Sequence, residues 1–394
     1  MVDNIKKKIL VREFNEDRDF EVVGKLERKC EIGSKMGVSI FTSMICDPLC
    51  RIRFYPLHVM LVAELLENGK LVGVVRGCIK GVQTGFGESH VKMGCILGLR
   101  VSPTHRCYVN LYITHMLQPF LVSRVKKVEE WLLRNGAEYT FLATEENNTA
   151  SMNLFTLKCS YVNLSSLVIF VQQICFPAKN YNMSEDIKIE KLHIDQATSL
   201  YKQKLKDKEI SPADIDAILK ENLSLGTWVC YFKEGGWMNT HNNHNEKNDE
   251  ERKIPSSWII FSIWNSCEAS KLQIRKSTSF HETTLIHAKE KIFPCLGFLF
   301  LYGMLGEGEK LGELMDSVWS FASNVGQNVK DCKVIAAELG VTDPLIKHVP
   351  QESSMSRIND LWYAKKLMFH DNNMDKLMLA KGPLGDVFVD PRDF

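Results

Sequence analysis

The sequence predicts an α/β protein made of two domains with a similar order of elements. Strand-like and helix-like runs alternate in both halves, and a polar stretch interrupts this pattern near residue 180. In the first half, Asn68-Gly69 joins two β-rich runs as the turn of a hairpin does. A length of 394 residues fits two or three domains. We therefore predict a first domain over residues 1–180 and a second over residues 185–394.

The first half is predicted to run strand, helix, three strands, helix, strand, helix, strand. Asp17 can cap the first helix, and Asn148 can cap the last. Apolar side chains at helical spacing, together with Asn135-Gly136 as a stop signal, define the long central helix. The predicted elements are strand 8–14, helix 17–30, strands 59–65, 71–79 and 93–101, a helix from about Leu121 to residue 134, strand 139–143, helix 148–157 and strand 167–171.

The second half repeats this order in outline. Its opening element is predicted over residues 187–192, and the strongly polar stretch 234–257 is predicted to be a disordered loop. After the loop, residues 258–264 and 271–275 are predicted to form a strand pair. The remaining predictions are strand 297–303, helix 310–321, strand 334–338, a short helix at Asp343-Pro344 and strand 360–366.

Composition excludes several classes of function. Lys plus Arg number 49 and Asp plus Glu 48, so no overall positive field favours nucleic acid or anionic lipid, and we do not expect direct nucleic-acid binding. No apolar run is long enough for a secretory signal or a membrane span, and the twelve cysteines contain no CxxC pair. His241 and His244 lie in an Asn-rich stretch, where a solvated loop is favoured over a metal site. We expect an intracellular protein, nuclear or cytoplasmic, without a metal or a membrane anchor.

The most informative segment is the strand and turn over residues 96–106, which ends in Val101, Pro103 and Arg106. It resembles the fourth strand and phosphate loop of the GNAT acetyltransferases. The resemblance implies that the backbone near Leu99 and Val101 pairs with the pantetheine arm of acetyl-CoA, and that Arg106 opens the loop that binds the pyrophosphate. Such a loop presents bare amides at a helix N-terminus, and for that it needs glycine.

A second matching segment covers residues 145–161, in which Asn148 corresponds to the family's pantetheine contact. Further stretches at 47–53, 75–80, 223–227 and 388–394 resemble the plant HOOKLESS-type probable N-acetyltransferases. This resemblance implies two tandem GNAT-like domains, each a mixed, mainly antiparallel sheet with a splayed strand pair and flanking helices. It also implies transfer of acetyl from acetyl-CoA to an amine of a protein or small molecule, in plant growth regulation.

The sequence departs from the GNAT pattern directly after Arg106. Val109 and Leu111 stand where the phosphate loop has glycines, and Pro119 disfavours a helix running on from the loop. Residues 107–120 therefore form an atypical insert, which we hypothesise comes from a misplaced exon boundary or alternative splicing; sequencing the transcript tests this. Phe155 stands where many GNAT enzymes have a proton-donating tyrosine. These departures keep open an alternative, a catalytically impaired GNAT-fold binding or regulatory protein.

No catalytic residue is assigned from the sequence. Glu145 or Glu146 could act as the base, although either could instead favour the dipole of the helix that follows. Cys107 and Cys159 lack a histidine and an acid positioned to activate them. In the second half, the glycines at 306 and 308 alternate with Glu307 and Glu309, which would repel a pyrophosphate. We expect that half to lack a working cofactor site.

Overall fold

The computed structural model describes residues 9–30, 37–44, 47–84, 90–106, 114–174, 184–235, 255–277, 291–292, 296–351, 355–368 and 383–394. The predicted domain boundary and most of the predicted loop 234–257 lie outside these ranges. The division into residues 1–180 and 185–394 therefore stays a prediction.

The first half contains seven strands and four α-helices within the described ranges. They are β1 (Ile9–Glu13), α1 (Glu16–Lys29), β2 (Gly37–Met44), β3 (Leu57–Leu65), β4 (Leu71–Thr84), β5 (His90–Val101), α2 (Pro103–Arg106), α3 (Thr114–Arg134), β6 (Tyr139–Glu145), α4 (Thr149–Asn153) and β7 (Val162–Gln173). A single π-helical turn, Leu154–Lys158, continues α4.

The second half contributes nine strands and three α-helices to the part of the chain that is described. They are β8 (Ile187–Lys191), α5 (Ile194–Lys204), β9 (Ile210–Pro212), α6 (Ile215–Lys220), β10 (Ser224–Phe232), β11 (Trp258–Asn265), β12 (Ser270–Ser277), β13 (Lys291–Ile292), β14 (Gly297–Glu307), α7 (Leu311–Gln327), β15 (Cys332–Gly340) and β16 (Met355–Lys366). Short 3₁₀ turns occupy Leu205–Asp207, Lys233–Gly235 and Ile346–His348.

The local signals in the first half are confirmed with three corrections, the first being that strand β2 (Gly37–Met44) was not predicted. The β3–β4 hairpin turns at Gly69, which has a φ of 68°. The cap of α1 is Asn15 rather than Asp17, because the Asn15 side chain accepts from the Arg18 N–H (3.0 Å). Helix α3 begins at Thr114 instead of about Leu121. Pro119 is its sixth residue, so the missing N–H removes only one intrahelical hydrogen bond near the helix start.

One large sheet of 13 strands joins the two halves. Its order is β1-β3-β4-β5-β6-β16-β7-β15-β14-β11-β10-β8, with β9 beside the end of β4. Only the pairs β5–β6 and β14–β15 are parallel, and the other neighbours are antiparallel. A separate three-stranded sheet has the order β13-β12-β2. The predicted pairing of residues 258–264 with residues 271–275 is therefore wrong, since β11 pairs with β10 and β14 while β12 pairs with β2.

The centre of the large sheet is built by an exchange of strands between the halves. Strand β16 lies between β6 and β7, and β7 lies between β16 and β15. In register, Asp360 is opposite Glu145 on one side and Leu167 on the other. Each half therefore completes its sheet with a strand from the other half. The local sequence of either strand carries no signal for this pairing, because its partners are remote in the chain.

Apolar side chains cover both faces of the large sheet. On the front face, α1, α5, α6 and the segment 384–394 pack over one core that extends across both halves. On the back face, α3 and the π-helical turn pack on the first half, and α7 packs on the second. The site described below opens on the front face, where the exchanged strands meet.

The strand exchange predicts that residues 1–183 cannot form a stable domain alone. Without β16, strand β6 loses its partner along Tyr139–Glu145, and its only remaining ladder, to β5, ends at Phe141. We expect the isolated fragment to show no cooperative urea transition by circular dichroism. Co-expression with residues 184–394 as a separate chain should restore a cooperative transition, and a cooperative transition of the fragment alone would contradict the exchange.

Candidate functional site

A wedge opens between β5 and β6. The two strands pair in parallel only from Met93 to Cys95, opposite Tyr139 to Phe141, although both are described along their full length. Beyond Cys95, β5 stays paired with β4, whereas β6 stays paired with β16. The segments at Leu99 to Val101 and at Tyr139 to Ala143 thus diverge, as a splayed strand pair requires.

Gly98 shapes this wedge. Its φ is 57°, and it lies where the register between β4 and β5 shifts. A side chain here would be strained, and its Cβ would lie 2.8 Å from the Arg76 Nη1. The second half has a corresponding bulge, since the register between β11 and β14 shifts at Gly303, whose φ is 62°. A β-bulge was predicted from the sequence at neither glycine.

The wedge of the first half leads into a cavity of about 190 Å³ on the front face. Strand β2 and the terminal segment both contribute to its lining. Its lining combines apolar groups with both signs of charge, and the charged or amide-bearing lining residues are Arg51, Arg100, Glu145, Asn148, Glu338, Asp360 and Asp393.

Three carboxyl groups in the lining belong to the second half, Glu338, Asp360 and Asp393, and the first two form a pair. Asp360 on β16 and Glu338 on β15 are both buried and are hydrogen-bonded to each other. Burial, with the nearby charge of Glu145, raises the pKa of Asp360 to about 7. Burial and the charge of Asp360 raise the pKa of Glu338 well above its usual value. Glu338 therefore stays protonated and donates a hydrogen bond to Asp360, and Asp360 ionises near neutral pH.

An ion-pair network holds the terminal segment beside the cavity. Lys80 pairs closely with Asp393 and lies 3.7 Å from Asp390. Tyr55 Oη donates to Asp393 Oδ1 (2.5 Å), and Arg392 Nη2 donates to Asp390 Oδ2 (2.7 Å). Burial alone would lower the pKa of Lys80, but Asp393 and Asp390 outweigh it and raise that pKa. Lys80 is therefore a permanent cation that fixes both aspartates.

Cys78, Cys95 and Asp393 bring their ligand atoms within 4.8 Å of one another. A metal ion there would have to displace Lys80 from Asp393 and ionise two buried thiols. Burial raises the pKa of Cys95 well above its usual value, which opposes that ionisation. Two thiols and a carboxylate are possible zinc ligands, but the ammonium of Lys80 already occupies the position of the cation.

The structure places the four predicted site residues around the wedge, at different depths. Leu99 packs partly buried on the back-face core. Val101 is buried, and its carbonyl accepts from the Cys30 thiol (3.1 Å). Arg106 is the last residue of the short helix α2. Asn148 lines the cavity and caps α4, since its Oδ1 accepts from the Ser151 N–H (3.3 Å). Their contacts with a cofactor stay a prediction.

The other predicted groups lie as follows. Glu145 lines the cavity and accepts from the Ile40 N–H (2.7 Å), whereas Glu146 is exposed and accepts from Asn359 (2.7 Å). Neither lies in the first turn of α4, which begins at Thr149. Phe155 is buried edge-to-face against Tyr161. Burial raises the pKa of the Cys159 thiol to about 11, so it is no nucleophile at neutral pH. Cys107, Val109 and Leu111 fall outside the described residues.

Asp360, Glu338 and Arg51 were not predicted as site residues from the sequence. Glu338 is the only charged residue among the apolar positions 334–339, and that isolation was a usable signal for a buried acid. Asp360 was predicted as the first residue of a strand, where an acid is unremarkable. The strand begins at Met355 instead, which places Asp360 in its interior. Only the strand exchange brings both acids to the wedge of the first half.

The corresponding wedge of the second half is filled differently. A Cβ on Gly308 would lie 2.3 Å from the Ser256 carbonyl oxygen and 2.3 Å from Ser257 Oγ. Ser257 Oγ also accepts from the Lys310 N–H (3.2 Å) just before α7. The space above this glycine is thus occupied by the chain itself, and Glu307 forms an ion pair with Lys204 (2.5 Å).

Comparison with known proteins identifies the family. The chain is 33% identical over 420 residues to probable N-acetyltransferase HLS1-like of Arabidopsis thaliana, covering 98% of both chains. It is 34% identical over 423 residues to probable N-acetyltransferase HLS1 of the same plant, covering 98% of this chain and 100% of the relative. The chain belongs to the HLS1 family of probable N-acetyltransferases. The family resemblance seen in the sequence is therefore confirmed.

More distant similarities extend beyond the two Arabidopsis HLS1 proteins. Acetyl transferase GW6a of Oryza sativa subsp. japonica is 28% identical over 440 residues, with 98% of this chain and 97% of the relative covered. Among solved structures, a GCN5-related N-acetyltransferase from Anabaena variabilis has a TM-score of 0.43 at 12% identity, over 92% of this chain and 73% of that one. Saccharomyces cerevisiae N-myristoyltransferase with bound myristoyl-CoA has a TM-score of 0.49 at 12% identity, over 91% of this chain and 79% of that one. No family model matches the chain.

The predicted fold class is confirmed for this HLS1-family chain. Each half contributes a mainly antiparallel sheet with one splayed parallel pair and flanking helices. Family and fold together support an acetyltransferase of the GNAT type. Among the helices that the structure describes, none has the length and hydropathy needed to cross a lipid bilayer.

The buried carboxyl of Asp360 predicts a specific pH dependence of stability. In the folded chain its pKa is about 7, whereas an aspartate in an unfolded chain has a pKa of about 3.9. The folded state therefore binds more protons over this interval, so this group lowers stability as the pH rises through it. We expect Asp360→Asn to raise the free energy of unfolding by about 2 to 4 kcal/mol at pH 8, and by less at pH 5.

Thermal or urea denaturation at pH 5, 6, 7 and 8 measures this difference. Glu146→Gln is the matched control, because Glu146 is an exposed carboxylate on the neighbouring strand end. The control should match the wild type throughout. If Asp360→Asn kept the same offset from the wild type at every pH, Asp360 would not titrate near neutrality in the folded chain.

Proposed function

We propose that this chain is an N-acetyltransferase that moves the acetyl group of acetyl-CoA to an amine, with Asp360 as the base. The observation that carries the proposal is the wedge between β5 and β6, which opens directly onto a cavity containing Asp360 and Glu338. The names of the HLS1 relatives support the reaction class. The two halves then have separate tasks: the first binds the donor, and the second supplies the carboxyl pair.

The residues around the wedge fit an acyl-CoA co-substrate. Beyond Cys95, β5 has no β6 neighbour, so its backbone near Leu99 is available to pair with the amides of a pantetheine arm. Asn148 caps α4 with its oxygen and keeps its NH₂ group as a donor toward the cavity. Arg106, at the end of α2, would lie nearest the pyrophosphate. When bound, acetyl-CoA supplies the thioester carbonyl that the amine attacks.

Asp360 is suited to the acceptor step. As the amine nitrogen bonds to the acetyl carbon, the nitrogen loses a proton, and Asp360 can accept it because its pKa lies near neutral pH. The carbon–sulfur bond then breaks, and CoA leaves as the thiol once its sulfur takes up a proton. Phe155 cannot supply that proton, so the solvent or the protonated Asp360 must do so. Glu338 holds Asp360 in position by donating a hydrogen bond.

Substitution of Asp360 tests the base. We expect Asp360→Asn to lower kcat/KM for acetylation by about 10²- to 10⁴-fold, since an amide cannot accept the proton. The affinity for acetyl-CoA should stay within about threefold of the wild-type value, because Asp360 lies on β16 and not on β5, whose backbone is proposed to bind the donor. In the wild type, kcat/KM should rise with pH through an apparent pKa near 7.

CoA thiol release and product mass measure turnover, and calorimetry measures donor binding. Glu146→Gln, which removes an exposed carboxylate at the end of β6, should keep full activity. The base assignment fails if Asp360→Asn turns over within tenfold of the wild type or keeps the same pH profile.

The alternative function is a GNAT-fold binding or regulatory protein without turnover. Val109 and Leu111 favour it, because side chains at the phosphate loop would remove amide contacts. Loss of two charge-assisted contacts would weaken acetyl-CoA binding by about two to four orders of magnitude.

Calorimetry separates the two functions. For the enzyme, we expect acetyl-CoA to bind with a Kd below about 1 mM. Replacing residues 108–113, which precede α3, by a Gly-x-Gly turn should tighten that binding, whereas a matched replacement by a Ser-x-Ser turn should do so less. A Kd above about 1 mM for the native chain would support the binding protein and refute the enzyme.

The biological setting rests on the family alone. A role in plant growth regulation, a nuclear or cytoplasmic location, and a protein or small-molecule amine as acceptor remain expectations from the resemblance. The predictions that the chain holds no metal and makes no direct contact with nucleic acid likewise remain predictions. The second half is proposed to lack a cofactor site, because Ser256 and Ser257 fill the space above Gly308.

A further inference from the structure

Arg51 is a charged group on the cavity wall for which the proposed chemistry has no use. It lies in the turn 47–54 on the front face, and its Nε is buried with no hydrogen-bond partner among the described residues. Within the same described set, no carboxylate oxygen lies within 4.0 Å of its guanidinium. Other arginines close by are paired: Arg53 with Asp47 and Glu16, and Arg76 with Glu27 (2.7 Å).

A second arginine adds positive charge to the cavity lining. Arg100 also lines the cavity, and burial lowers its pKa to about 10. Burial lowers the pKa of Arg51 too, and the largest opposing influence is the charge of Asp393. Asp393 is already engaged by Lys80 and Tyr55. Arg51 is thus half-buried, its Nε is buried without a hydrogen-bond partner among the described residues, and the opposing charge of Asp393 is shared with Lys80.

Arg51, Arg100, Asp360 and Glu338 all line the same cavity. The charge of Arg76 acts on both Arg51 and Arg100, and the charge of Arg51 also acts on Arg100. The charge of Glu145 acts on Asp360, and the charge of Asp360 acts on Glu338. The charge of Asp393 acts on both Arg51 and Glu338. A volume of about 190 Å³ is large enough to admit a small acceptor group.

We propose that Arg51, with Arg100 beside it, binds a carboxylate of the acceptor while the acceptor amine lies at Asp360. The inference rests on the proposed function and adds the substrate class, namely an amine with a carboxylate close to it. The planar guanidinium fork matches a carboxylate with two parallel hydrogen bonds. Two sources offer this chemistry, a free amino acid and a peptide with an acidic residue next to the acetylated amine.

Matched acceptor pairs test the inference. Glycine against glycinamide represents the free amino acid, and the end-blocked peptides Ala-Lys-Glu and Ala-Lys-Gln represent the peptide source. With acetyl-CoA as donor, we expect the carboxylate member of one pair to have at least a tenfold higher kcat/KM, and the pair that shows it identifies the source. In Arg51→Gln the preference should fall to within twofold, while turnover of the neutral member stays within twofold of the wild type.

Two further variants keep the test specific. Arg51→Lys keeps the charge but loses the fork, so it should retain part of the preference. Arg53→Gln removes an exposed arginine of the same turn whose partners lie outside the cavity, and it should keep the whole preference. Melting temperatures of the variants should match the wild type, because Arg51 Nε has no hydrogen-bond partner to lose among the described residues.

The outcomes separate the two proposals. Equal turnover of both members by the wild type, or a preference unchanged in Arg51→Gln, overturns the inference and leaves the proposed acetyl transfer intact. Transfer to no member of either pair overturns the inference together with the proposed function. A preference for carboxylate that Arg51→Gln abolishes supports the inference.

Discussion

The pairing of β16 with β6 and β7 is the constraint on which the site depends. This ladder places Asp360 opposite Glu145 and Leu167 in the middle of the large sheet. It also holds β6 away from β5, because β6 continues along β16 after the short parallel ladder to β5 has ended. The wedge and the carboxyl pair therefore have one common cause, and the active geometry belongs to neither half by itself.

Much of the fold follows from local signals in the sequence. The hairpin turns at Gly69 because Asn-Gly readily adopts positive φ, and α4 begins after Asn148 because its side chain satisfies a free N–H. Strand β5 and helix α7 follow from apolar periodicity. The partners of β2, β12 and β16 could not be predicted in this way, since a strand's own residues specify which face is buried but not which remote strand lies beside it.

The site was harder to predict than the fold for a related reason. Leu99, Val101, Arg106 and Asn148 were identified through a family motif, which is continuous in sequence. Asp360, Glu338 and Arg51 come from three separate segments, and their environment exists only after the sheet has formed. Their chemistry depends on burial, because water would return Asp360 to an ordinary acidic pKa and would weaken the attraction of Arg51 for an anion.

The reciprocal strand exchange also affects synthesis on the ribosome. Asn359 and Glu146, which touch across the ladder, are 213 residues apart. At about 5 to 20 residues per second, the emerging chain waits roughly 10 to 40 s between the appearance of β6 and that of β16. During that interval, β6 and β7 present open edges to other nascent chains. A long-range closing step of this kind slows folding and leaves these edges exposed to aggregation until it is complete.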